Sequence, residues 1–161
     1  MPRRRPATGF RPARIVSGGQ TGVDRAALEV ARALGIPHGG WCPRGRLAED
    51  GRIPDGYQLT ETESPEYPVR TERNVVDSEA TLILCRGRPS GGTELTRRLA
   101  LEHGRPCLVV DLGAPPELAA TRRWLAEHGR GTLNVAGPRQ SQCPGIAAEA
   151  SAFLRRLLGE D

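Results

Sequence analysis

The sequence predicts a single α/β domain in three layers, with a mostly parallel sheet of about five or more strands between helices. Three observations carry that expectation. Short apolar runs alternate with stretches of helical periodicity from Ile15 to Leu158, the pattern of repeated βα units. The run Ala80–Cys85 is almost continuously apolar, as a strand covered on both faces requires. Gly-rich turns follow three of the runs, and each turn opens a helix. The length, 161 residues, suits one domain with a substantial core.

The first unit is Ile15-Val16, a Gly-rich turn, and a helix with Val23, Ala26, Ala27, Val30, Ala31 and Leu34 on one face, stopped by Gly35. Ile36 to Cys42 reads as a second strand, weakened by Gly39-Gly40. Residues 43–70 form the least regular stretch and are expected at the edge of the site, because long irregular loops in compact domains are usually functional or mobile. Thr71 to Ser78 reads as a short helix capped by Thr71, with Val75 and Val76 inward. Ala80–Cys85 is the central strand. A second Gly-rich turn, 86–93, leads to a helix from Glu94 to His103 with Thr93 as its cap. Cys107–Asp111 is another strand, and Pro115 opens a helix to about His128. Thr132–Ala136 is the last strand. A third loop, 137–145, precedes a helix with Ile146, Ala150, Phe153, Leu154 and Leu157 as its core face. Right-handed crossovers would set all three loops at the carboxyl edge of the sheet, where ligands of such sheets bind. If the strand at 14–17 neighbours the one at 80–85, the first two loops face each other across a crevice.

Composition narrows the partners. All 23 basic residues are arginine, so a single arginine carries little functional weight. Five of them lie in the first fourteen residues; the rest of the chain holds 18 basic and 19 acidic residues, which gives no basic footprint for nucleic acid. Residues 1–13 read as a disordered Arg-rich tail, and 14–161 as the single ligand-binding domain. No run has the length of a membrane span, and residues 1–13 lack the apolar run of a secretory signal. Four scattered cysteines, with Cys85 and Cys107 in the core and Cys42 and Cys143 in loops, suggest free thiols, a cytoplasmic location and no structural metal.

The chemistry concentrates at the loops. Strand, Gly-rich turn and helix N-terminus together form an oxyanion site, since orphan N–H groups and the helix dipole point at the loop. The glycines at 18–22 read Gly-Gly-x-x-Gly, which departs from the dinucleotide fingerprint, and the absence of lysine excludes a Walker A loop. Asp24 also fits a capping box opened by Thr21. Arg44, Arg46 and Glu49 are candidates on the irregular stretch, or are plain solvated charges. His103 and His128 end helices beside glycines, where a cation suits the dipole; His38 is the one histidine with a candidate position near a strand.

Four motifs resemble the molybdenum cofactor carrier family: Ile-Val-Ser-Gly-Gly-Gln-Thr-Gly-Val-Asp-Arg at 15–25, Trp-Cys-Pro-Arg-Gly-Arg-x-x-Glu-Asp-Gly at 41–51, Thr-Glu-Arg-Asn-Val at 71–75 and Ser-Gly-Gly-Thr-Glu-Leu-Thr at 90–96. That family belongs to a Rossmann-like group that includes nucleotide-binding proteins and cytokinin-activating phosphoribohydrolases. The resemblance implies a Rossmann-like fold, a homo-oligomer (dimer or tetramer) and an anionic pterin or nucleotide ligand. It places ligand contacts at Gly18, Gly19, Gln20, Thr21 and Gly22. Ser90, Gly91, Gly92, Thr93 and Glu94 would form the second wall. Arg73 and Asn74 would lie near the crevice, with Ser141 in the third loop; Arg44 stays a candidate from its place on the irregular stretch. The hydrolase motif Pro-Gly-Gly-x-Gly-Thr-x-x-Glu is altered here to Ser-Gly-Gly-Thr-Glu, which shifts Glu94 around the helix start.

Three functions follow. The first is a binding or carrier protein for molybdenum cofactor or a related phosphorylated pterin or nucleotide, with no confident catalytic residue. The second is a phosphoribohydrolase-like N-glycosidase using Glu94 or Asp24 as its acid–base group, for which a buried carboxylate with a raised pKa in the crevice would be the mark. The third is a nucleotide-sensing regulator.

Overall fold

The computed structural model describes residues 11–115 and 118–159. In chain order the elements are β1 (Arg14–Val16), α1 (Val23–Leu34), β2 (His38–Gly39), β3 (Trp41–Cys42), β4 (Leu47–Ala48), β5 (Gly51–Arg52), β6 (Thr60–Glu61), α2 (Tyr67–Val76), β7 (Ala80–Cys85), α3 (Gly91–Glu102), β8 (Cys107–Asp111), α4 (Leu118–His128), β9 (Thr132–Ala136) and α5 (Ile146–Leu158). Five strands make one fully parallel sheet in the order β2-β1-β9-β7-β8. Helices α1, α4 and α5 pack together, and α2 packs on α3. The domain is Rossmann-like, as expected.

The condition that β1 neighbours β7 is not met, because the C-terminal strand separates them. β9 inserts between them, pairing Leu133 with both Ile15 and Ala80. Leu133 and Val135 are fully buried, so this short strand tolerates a central place. The main core joins β1, β7 and β9 to α1 and α5 through Ile15, Ala27, Val30, Leu82, Leu84, Leu133, Ile146, Leu154 and Leu157, all fully buried.

The stretch 43–70 is more built than its sequence suggests. β3 pairs with β6, and β4 with β5. Leu28, Cys42, Ala48, Ile53 and Tyr57 form a second small core against α1. Cys42 is therefore buried, against the loop position expected for it. Arg46 is buried too, and its guanidinium donates to the carbonyls of Ile53, Pro54 and Tyr57 at 3.0, 2.7 and 3.0 Å. It organises this segment internally. The single strand expected over 36–42 splits at Gly40 (φ 125°), where a Cβ would lie 2.4 Å from the Ser17 carbonyl oxygen.

Two helix starts move toward the N-terminus. α2 begins at Tyr67, with Pro68 in its first turn, and Thr71 is inside it, donating to the Tyr67 carbonyl. α3 begins at Gly91 with Ser90 as cap, which takes Thr93 into the first turn. Of the helix expected from Pro115, Leu118–His128 is seen as α4. The expected disordered tail falls on residues 1–10 outside the described residues, but residues 11–13 are docked. Arg11 donates to the carbonyls of Leu158 and Leu34 at 3.0 and 2.9 Å, satisfying helix C-termini, and the Ala13 N–H donates to Arg130. Among the described residues no helix is long and apolar enough to cross a membrane.

Candidate functional site

A cleft of about 450 Å³ opens at the carboxyl ends of β1, β9 and β7, between the three loops and helices α2 and α3. The order of the sheet explains its position. α1 and α3 leave β1 and β7 for opposite faces of the sheet, and a crevice forms where they diverge. Three guanidinium groups, those of Arg70, Arg98 and Arg139, line it against a single carboxylate, Asp24.

Asp24 stands in the first turn of α1 and is 6% exposed. Its Oδ2 accepts the Gln20 N–H at 3.3 Å and lies 3.7 Å from Arg70 Nη1. Ser17 Oγ donates to the Asp24 carbonyl and fixes the turn. Burial pushes the Asp24 carboxyl up to about 6, against the opposing pull of Arg70, the Gln20 N–H and Arg25. Arg70 comes from α2, is 8% exposed, and lies over the Tyr67 ring at 5.2 Å. Its guanidinium occupies the space a Cβ on residue 18 would need, so only glycine at 18 admits it.

Buried donors without acceptors are rare in folded proteins. Among the described residues, the buried side-chain polar atoms without a hydrogen-bond partner are Nε of Arg70, Arg122 and Arg139, and two of these three arginines line this cleft. Arg70 stands on α2 and Arg139 in the 137–145 loop, where Arg139 Nε lies 3.9 Å from Glu49 Oε2, beyond hydrogen-bond distance. The α3 N-terminus completes the arrangement. Ser90 makes no side-chain cap, Gly91 and Gly92 are exposed, and the first N–H groups of a helix have no acceptor within it. Such a concentration of cationic donors suits an oxyanion.

A model of the circularly permutated YpsA SLOG family matches residues 15–158. The chain belongs to that family. A solved structure from Syntrophus aciditrophicus SB, named "Putative molybdenum carrier protein", is 43% identical, with a TM-score of 0.89; the match covers 92% of this chain and 96% of that one. No curated protein matches the chain. Both positive findings agree with the resemblance read from the four motifs.

In this YpsA SLOG chain the expected contacts divide into two sets. Gly18, Gln20, Asn74, Gly91, Gly92 and Thr93 do line the cleft. Gly19 lies instead against Ile53 and Leu59, and Thr21 and Gly22 border a separate groove with Ala147 and Ser151. The N–H groups of the first loop are largely occupied: Gly19 donates to Ser17 Oγ, Gln20 to Asp24, Thr21 to Gln20 Oε1 and Val23 to the Pro138 carbonyl. Thr21 Oγ accepts from Gln140 in place of the expected capping box. Asn74 clamps the backbone of Trp41 through both its N–H and its carbonyl, so it shapes the wall. Arg73 lies over the Trp41 ring and pairs with Glu63, outside the cleft lining. Arg44 and Ser90 are exposed and outside it as well. Ser141 is held by Glu49, through its N–H at 3.0 Å and its hydroxyl at 2.7 Å. Glu94 pairs with Arg97 one turn on, and the Arg97 hydrogen bond holds its carboxyl below the usual range. His38 accepts from the Gln58 N–H, away from the cleft.

Arg70, Arg98, Arg139 and Asn134 were not legible as site residues. The expected helix start at Thr71 leaves Arg70 just outside the helix. A start at Tyr67 puts it one turn before Asn74 on the buried face, and that spacing is the signal that could have found it. Asn134 is buried in the central strand and donates to Thr81 Oγ at 3.3 Å.

Proposed function

We propose that the protein binds and carries molybdenum cofactor, or a related phosphorylated pterin or nucleotide-like compound, in this cleft. The observation that carries the reading is the pair of unmet buried donors, Arg70 Nε and Arg139 Nε, beside an open helix start. A phosphate there would accept from both arginines and from the first turn of α3 at Gly91 and Gly92. The name of the Syntrophus protein supports molybdenum as the cargo. The cleft volume leaves room for a fused heterocycle beyond the phosphate. The resemblance adds a homo-oligomer, which light scattering would check, and the scattered free cysteines add a cytoplasmic location, which cell fractionation would check. The decisive experiment is a denaturing extract of purified protein, read by mass spectrometry for pterins and nucleotides and by elemental analysis for molybdenum. A pyranopterin or stoichiometric molybdenum supports the carrier; a nucleotide without molybdenum turns the reading toward the second function.

That second function rests on Asp24. A buried carboxyl titrating at about 6 beside a phosphate-binding cleft suits a general acid. A phosphoribohydrolase-like reaction would break the N-glycosidic bond of a nucleoside monophosphate: water forms the new C–O bond as the C–N bond breaks, Asp24 protonates the departing base, and the proton that water loses restores Asp24. Glu94, paired with Arg97, suits that role less. Incubation with nucleoside monophosphates and assay of released base tests it; absence of release with all the common bases removes it.

A further inference from the structure

The cleft holds a contradiction in its resting form. Arg70 is buried beside Asp24, yet the two groups stand 3.7 Å apart, beyond hydrogen-bond distance, and Arg70 Nε has no acceptor at all. The pair is held from both sides. Asp24 is fixed by the Gln20 N–H and by its place in α1, and Arg70 by Gly18 and the Tyr67 ring. An anion that satisfies Arg70 must therefore arrive next to a carboxylate anchored by the Gln20 N–H. Two like charges in a buried site are costly, and the cheapest relief is a proton.

We propose that anion binding in this cleft is coupled to uptake of one proton by Asp24, which acts as a displaceable counter-ion for Arg70. The inference rests on the cleft being an anion site, and it concerns how that site is loaded and emptied. With the cleft open, ionised Asp24 partly neutralises Arg70. With an oxyanion on Arg70, Asp24 takes a proton from solvent and becomes neutral. Binding is then favoured in mildly acidic solution and release at higher pH. The charged groups around Asp24 are Arg70 on α2, Arg25 on α1, Arg139 in the third loop and Arg98 on α3. Glu49 lies 3.9 Å from Arg139, and its carboxyl is held low by the Ser141 hydroxyl, so it stays ionised through the relevant range. None of His38, His103 and His128 lines the cleft. Asp24 is thus the cleft group whose titration falls near pH 6.

The test uses sulfate, whose charge is constant across the range, with inorganic phosphate as a second probe. Calorimetry of sulfate binding in buffers of different ionisation enthalpy should show uptake approaching one proton per site at pH 7 and almost none at pH 5. Sulfate affinity should fall by up to about tenfold per pH unit above pH 6. Asp24→Asn should abolish that dependence and bind at pH 7.5 at least about tenfold more tightly than the parent protein. Binding without proton uptake in the parent protein, or an unchanged pH slope in Asp24→Asn, overturns the coupling but leaves the cleft as an anion site. Absence of sulfate and phosphate binding at every pH overturns both. The calorimetric measurement on the parent protein decides the matter even if the variant fails to fold.

Discussion

The loops at 17–22 and 86–93 have similar sequences and opposite roles. Each follows a parallel strand, carries paired glycines and opens a helix of 12 residues. The first spends its backbone donors on Ser17, Asp24, Gln20 and Pro138, and its glycines are packed against side chains and backbone of neighbouring segments. The other leaves Gly91 and Gly92 exposed, and a Cβ at 92 would meet nothing within 4 Å. The physical cause lies in the surroundings. The 17–22 loop is packed between the 43–62 segment and the 137–145 loop and reaches the cleft at Gly18 and Gln20, whereas the glycines of the 86–93 turn at 91 and 92 line it without packing against neighbouring segments. A glycine pair after a strand therefore shows that the backbone approaches something closely. It does not show whether that something is ligand or protein.

Substitutions can break this comparison, beginning with the largest effect. Gly22→Val should unfold the protein or cost about 3 kcal/mol or more, because φ is +79° and the new Cβ would lie 2.2 Å from the Pro138 carbonyl oxygen. Chemical denaturation checks it, and a stable, parent-like variant would remove the distinction between the loops. Gly19→Val should fail the same way, through its clash with Ile53 and Leu59 rather than through lost ligand contact.

Asp24→Asn comes next and has the opposite sign. The folded carboxyl titrates at about 6, above its value of 3.8 in the unfolded chain, so the native state binds the proton more tightly. Its contribution to stability is full below about pH 4 and is lost as pH rises through 6. Asparagine should therefore stabilise the fold at pH 7.5 by up to roughly 3 kcal/mol, and by little near pH 4. Melting curves across that range check both halves.

Gly92→Val is smaller for the fold and larger for function. Stability should change by less than about 1 kcal/mol, while affinity for a phosphate-bearing ligand falls at least about tenfold. Unchanged affinity would move the anion away from the 86–93 loop. Glu94→Gln is the smallest: it removes a half-buried pair with Arg97 on one helix, and neither the melting point nor ligand affinity should move by a measurable amount. A loss of affinity there would return Glu94 to the site and sharpen the hydrolase reading.

The strands Ala80–Cys85, Cys107–Asp111 and Thr132–Ala136, the helix at 23–34 and the core face of the last helix were legible in the sequence, because apolar periodicity is local and the burial of those residues is strong. Segment 43–62 was not, since its strands are two residues long and its order comes from Arg46 reaching carbonyls up to 13 residues away. Of the wall at 90–94, Gly91, Gly92 and Thr93 line the cleft as the resemblance implies, whereas the local pattern sets the helix start at Glu94, three residues after its place in the structure.

What the sequence by itself determined is the α/β class, the alternation of elements and the edge of the sheet where ligand chemistry must lie, because chirality and periodicity are properties of consecutive residues. The family was legible there as well. Only the tertiary structure decided that β9 separates β1 from β7, that Arg70 and Arg139 rather than Arg73 and Ser141 carry the unmet donors, and that Asp24 sits buried beside one of them. Those facts depend on which residues, 46 to 115 positions apart, come to share a low-dielectric cleft, and no local pattern encodes that meeting.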